Sequence, residues 1–132
     1  MYRKTLFPLI VLALVLGATS CSNDPLAPFQ PEVSNVPDTF QLQATGVTGR
    51  TATLTWTWAN SGTQATVNHS TTTTNGSARV IIKDAAGVIV YNATLAPSLN
   101  QTTTAGSSGD WTIQLVLDGY GGTLNFRVQK TT

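Results

Sequence analysis

One cysteine, one histidine and no glutamate after Glu32 leave this chain short of the side chains on which most enzymes and metal sites depend. A lone cysteine forms no internal disulfide, so the fold must be held by its core. Zinc needs more ligands than one imidazole and one thiol provide. A hydrolytic pair of carboxylates, beyond residue 39, would have to come from Asp84, Asp110 and Asp118. Charged residues are only 10% of the sequence, and with Arg3 and Lys4 set aside five basic residues stand against six acidic ones. That balance lacks the basic patch that nucleic-acid binding requires. The apolar run from Leu6 to Leu16 is too short for a membrane span, which takes about 20 apolar residues.

The same short run is informative in another way. Arg3 and Lys4 precede it, and Gly17-Ala18-Thr19-Ser20-Cys21 follows it. A basic start, an apolar core of roughly 7 to 15 residues and small residues near a cleavage point describe an export signal. The segment resembles the lipobox of bacterial lipoproteins, with Ala18 and Ser20 where that family more often has Leu and Gly or Ala. The resemblance implies that residues 1–20 are removed and that Cys21 becomes an acylated N-terminus attached to membrane lipid. Several acyl chains, at about 0.8 kcal/mol per buried CH2, would make the attachment effectively permanent. Lipidation would also explain an unpaired thiol in an oxidising compartment. Ser22 after the cysteine, rather than Asp, implies the outer membrane rather than the inner one in an organism that has both.

Residues 21–38 contain Pro25, Pro28, Pro31 and Pro37 and show no apolar period. They suggest an extended spacer, on the order of 50 Å at about 3.1 Å per residue. From residue 39 the apolar residues alternate with polar ones, the signature of half-buried strands, and no helical period occurs. Thr51 to Trp58 is the clearest case, with Ala52, Leu54, Trp56 and Trp58 on one face and threonines on the other. Further strands are expected at Phe40–Ala44, 64–70, 99–104, 111–117 and 123–129. A hairpin is expected from Ala78–Lys83 and Val88–Leu95 around the turn Asp84-Ala85-Ala86-Gly87. The segments at 46–49, 71–76 and 118–122 are expected to be turns or loops. Seven to eight short antiparallel strands at this spacing predict an all-β sandwich over residues 39–132.

The ending Gly109-Asp110-Trp111-Thr112-Ile113-Gln114-Leu115, then Asp118-Gly119-Tyr120-Gly121-Gly122 and Thr123 to Val128, is similar to the closing hairpin of bacterial pre-peptidase C-terminal-type and Ig-like or jelly-roll modules. That resemblance implies an accessory, non-catalytic role on a secreted or surface protein.

The residues that could carry chemistry are few. His69 is the only base for a small hydrolase, and no Gly-x-Ser-x-Gly elbow accompanies it. Asp110 and Asp118 are candidates for a calcium site through oxygen ligands, although both border glycine-containing turns that aspartate commonly braces. No cofactor is implied. Carbohydrate binding would use exposed aromatic rings, for which Trp58, Tyr91 and Tyr120 are the candidates, Tyr120 being expected at the surface of its glycine-rich turn. The expectation is a non-enzymatic, lipid-anchored envelope protein with a protein or glycan partner.

Overall fold

The computed structural model describes Leu26, Phe29 and residues 31–132; the expected signal segment and Cys21 lie outside the described residues. Seven strands form in order: β1 (Glu32–Val36), β2 (Thr39–Asn60), β3 (Ala65–His69), β4 (Thr72–Lys83), β5 (Ile89–Thr94), β6 (Leu99–Thr102) and β7 (Gly109–Lys130). Every pairing is antiparallel.

The architecture turns on β2 and β7, each 22 residues long and paired with one another. A straight strand of that length would reach ~70 Å at about 3.3 Å per residue, far more than a domain of this size can accommodate. Both strands therefore bend. The β2–β7 register shifts between Ala44 and Val47, again before Arg50, and again before Ala52. Gly46 and Gly49 on β2, with φ of 66° and 56°, and Gly119 on β7, with φ of 52°, take the left-handed conformation at these bends. Bulges of this kind kink a strand and increase its twist.

On one side of the bend, residues 39–44 of β2 and 124–129 of β7 pair with each other and are flanked by β1 and by β3 and β6. On the other side, residues 52–60 of β2 and 109–117 of β7 are flanked by β4 and then β5. These are the two layers of a small β-sandwich. The inward positions of both form one core, with Phe40, Leu42, Phe126 and Val128 from the first layer and Trp58, Ile82, Trp111 and Ile113 from the second. Phe40 packs its ring 5.3 Å from that of Trp56, and Trp58 meets Trp111 edge-to-face at 5.9 Å.

The expected hairpin forms as anticipated. Arg79 pairs with Thr94 and Ile82 with Tyr91, and Gly87 takes φ of 82° after Asp84. Three expectations differ. Residues 46–49 and 118–122 are corners within continuous strands and not turns between separate ones, so the closing segment is one bent strand and not a hairpin. A glycine with positive φ serves a bulge as well as it serves a turn, and only cross-strand register distinguishes the two. The expected loop at 71–76 runs mostly within β4, with Thr72 opposite Thr123. Gly76 is required there: a Cβ would lie 2.2 Å from the Asp118 carbonyl oxygen.

The third difference concerns the expected spacer. Pro31 and Pro37 bracket β1 and do not interrupt it, and Pro37-Asp38 makes the two-residue connection to β2. Asp38 has φ of 67°, which suits the left-handed position after a proline in a type II turn. Its carboxylate accepts hydrogen bonds from the Ser61 N–H at 2.7 Å and the Ser61 hydroxyl at 2.8 Å. Upstream, Leu26 is buried and Phe29 packs against the core, with Arg50 stacked 5.0 Å over its ring. The packed structure thus begins well before Thr39.

Candidate functional site

The three candidate aromatics are inside. Trp58 is fully buried, and its indole N–H donates to the Val36 carbonyl at 3.1 Å, tying the β1 edge to the second layer. Tyr120 is also fully buried, and its hydroxyl reaches the carbonyls of Thr72 and Thr123, both at 3.2 Å. Its expected exposure is corrected because the glycines around it form a bend whose inner side faces the core. Tyr91 is 8% exposed and spends its hydroxyl on neighbours within the fold. None of the three offers a ring face for a sugar to stack on.

His69 is buried on the inward side of β3 rather than on the surface. Its Nδ1 accepts a hydrogen bond from the Ala96 backbone N–H at 3.2 Å, which places the ring proton on Nε2. Nε2 then donates to the Tyr91 hydroxyl at 2.7 Å, and that hydroxyl donates onward to Gln101 Oε1 at 3.3 Å. The whole relay is satisfied with a neutral imidazole. Burial holds the His69 pKa below the ordinary histidine value and pushes that of Tyr91 up. A hydrolase base needs a free nitrogen facing a nucleophile, and in the fold both ring nitrogens of His69 are bonded to Ala96 and Tyr91.

The aspartates brace backbone. Asp84 Oδ1 accepts from the N–H groups of Ala86 and Val88 at 3.0 and 2.9 Å, and Oδ2 from that of Ser107 at 2.9 Å. These bonds, the one from Ser107 foremost, hold its carboxyl below the usual range. Asp110 is near the start of β7 and Asp118 lies where that strand enters its corner, eight residues and roughly 26 Å of strand away at about 3.3 Å per residue, so they cannot share a calcium ion. Among the described residues no group of three or more His, Cys, Asp or Glu side chains is placed to hold a metal.

What sequence reasoning missed is a surface. On the outer face of the first layer the register aligns Ser34, Gln41, Arg127, Asn68 and Asn100 in one row across five strands. A parallel row holds Glu32, Gln43 and Asn125. Arg127 touches Gln41 Oε1 at 3.4 Å, while the side chains of Asn68 and Asn100, both exposed, have no hydrogen-bond partner among the described residues. Between β1 and β2 this face opens into a groove of about 430 Å3, lined by Pro31, Glu32, Val33, Ser34, Gln41 and Gln43. Period-two polar positions such as Gln41, Gln43, Arg127 and Gln129 were visible in the sequence, but their assembly into rows depends on pairing between distant strands.

No family model matches the chain, and no curated protein matches it. Among solved structures, the chain is similar to the C-terminal CBM6 of LamC, a marine laminarinase from Zobellia galactanivorans, at 8% identity and a TM-score of 0.36, over 76% of this chain and 88% of that one. It is also similar to a chain in the structure of accessory secretory proteins 1, 2 and 3 of Streptococcus pneumoniae, at 14% identity and a TM-score of 0.38, over 79% and 87%. Likenesses at this level assign neither a family nor a ligand.

Proposed function

We propose that this protein is an exported lipoprotein, acylated at Cys21, whose β-sandwich is a non-catalytic binding module of the cell envelope. The observation that carries the non-catalytic reading is the state of the single histidine: buried, neutral, and with both ring nitrogens bonded within the fold. The aspartates support the same reading, since Asp38 is committed to Ser61 and Lys130, Asp84 to backbone N–H groups, and Asp110 and Asp118 are far apart. The anchor rests on the basic start, the short apolar run and the small residues before Cys21.

The fold changes what such an anchor would do. Leu26 is buried in the sandwich, five chain steps from Cys21 with only four residues between them. At about 3.3 to 3.6 Å per residue, that length spans at most ~18 Å. An anchored module would therefore sit close to the bilayer, with the end bearing Leu26, Phe29 and Arg50 nearest the lipid. Intact mass of the membrane-extracted protein tests the anchor. The expected result is a chain beginning at Cys21 and carrying a diacylglycerol and an N-acyl group, with the protein released from membranes in Cys21→Ala. An unmodified mass would contradict it.

A further inference from the structure

The amide face of the first layer has no counterpart in the packing of the molecule. Five strands at about 4.8 Å spacing make the row from Ser34 to Asn100 ~19 Å long. All of its members except Gln41 are exposed. We propose that this face binds an extended, neutral polysaccharide, laid across the strands along that row and entering the groove between β1 and β2. The proposal deepens the reading of the chain as a non-catalytic binding module and rests on it.

Charge decides the class of ligand. The two rows carry one cation, Arg127, and one anion, Glu32, and are otherwise neutral. A polyanion would meet a single guanidinium and a polycation a single carboxylate, so neither is complemented. Hydrogen-bond chemistry then selects among neutral ligands. Each asparagine or glutamine amide presents a donor and an acceptor side by side, and a sugar hydroxyl is itself both. Asn68 and Asn100 have these groups unspent. A protein partner, by contrast, wants a desolvated aromatic or arginine anchor near the centre of its interface. The rows contain no aromatic residue; their one arginine, Arg127, is central but exposed rather than desolvated, and the apolar Val36 sits at the margin beside the β1–β2 turn.

Hydrogen bonds exposed to water are individually weak, so affinity must come from many of them along one polymer. Binding should therefore grow with chain length, and a monosaccharide should compete poorly. The groove of about 430 Å3 adds the concave element that a bare sheet face lacks.

Native affinity electrophoresis of the full-length protein in detergent tests this, with dextran, galactomannan or hydroxyethyl cellulose in the gel and polygalacturonate as the charged control. Retardation is expected in at least one neutral polymer. It should fall at least fivefold in the double variant Asn68→Ala, Asn100→Ala and stay unchanged in Thr55→Ala, Thr57→Ala on the opposite layer. Circular dichroism confirms folding, and Gln43→Ala with Arg127→Ala is a second pair should the first unfold. Four results would overturn the proposal: no retardation by any neutral polymer, equal retardation of the amide variants, stronger retardation by polygalacturonate, or a wild-type dimer that the amide variants dissolve. Release of reducing ends from the retarding polymer would instead overturn the non-catalytic reading.

Discussion

The two outer faces of this sandwich are built from the same period-two pattern and end up chemically unlike. On the second layer, Thr53, Val116, Arg79 and Thr94 form one row, and Thr55, Gln114, Ile81 and Asn92 the next. There the cation is tied down: Arg79 donates to Asn92 Oδ1 at 2.6 Å and to Thr94 Oγ1 at 3.2 Å. Threonines, aliphatic residues and Gln114 fill the rest, a composition that favours strand pairing. On the first layer the amides of Asn68 and Asn100 are left unspent, and Arg127 makes one long contact to Gln41. On one face the exposed asparagine is bonded to the arginine beside it, and on the other the two exposed asparagines are not. Our proposal rests on this difference: the unspent amides of Asn68 and Asn100 lie on the first layer.

The comparison can be broken at the core, which both faces share. Trp111→Ala on the second layer and Phe126→Ala on the first should each cost about 3 to 5 kcal/mol, since both rings are fully buried. Denaturant unfolding followed by fluorescence and by circular dichroism should give one coincident transition for each variant. Separate transitions would mean that the layers fold apart. The corner joining them is tested by Gly76→Ala, where the added methyl would overlap the backbone of Asp118 at a residue with φ of 63°. A loss of more than ~1 kcal/mol is expected in the same assay, beyond the ordinary cost of a left-handed alanine.

A smaller effect concerns pH. His69 has a folded pKa below its ordinary 6.5, so below that value the unfolded chain binds a proton that the folded chain refuses. Stability from this source is present above about pH 6.5 and is lost as pH falls below it. The melting temperature should fall from pH 7 to 5, and His69→Gln should flatten that slope while lowering the melting temperature at pH 7. The carboxyls of Asp38 and Asp84, both held below their ordinary value of 3.8, add a separate loss only under more acid conditions. The smallest effect sharpens the comparison directly. Asn68→Ala and Thr55→Ala, both exposed, should each change stability by less than about 0.5 kcal/mol, so that any difference in binding between them belongs to the face and not to folding.

Much of the fold was legible because alternation is a local signal. Trp111, Ile113, Leu115 and Leu117 announce one buried face, and the Asp84 to Gly87 turn announces its hairpin through side-chain chemistry confined to a few residues. Two things were not legible. Gly119 and Gly122 are written the same way whether the chain reverses or bends, so Tyr120 was expected outside when it lies inside. β1 was hidden by the prolines on either side of it, because a strand that pairs on one edge tolerates Pro31 and Pro37 at its ends. The candidate surface was the least legible feature. Gln41 and Asn68 become neighbours of Arg127 only through the registers of β2 and β3 with β7.

The most direct test of the account is nuclear magnetic resonance mapping of the bound polymer, using a soluble fragment of whichever neutral polysaccharide retards the protein. The account predicts shifts at the side-chain amides of Gln41, Asn68 and Asn100, with Thr53, Thr55 and Thr57 unmoved. Shifts confined to the threonine face or to the loops at either end of the sandwich would contradict it.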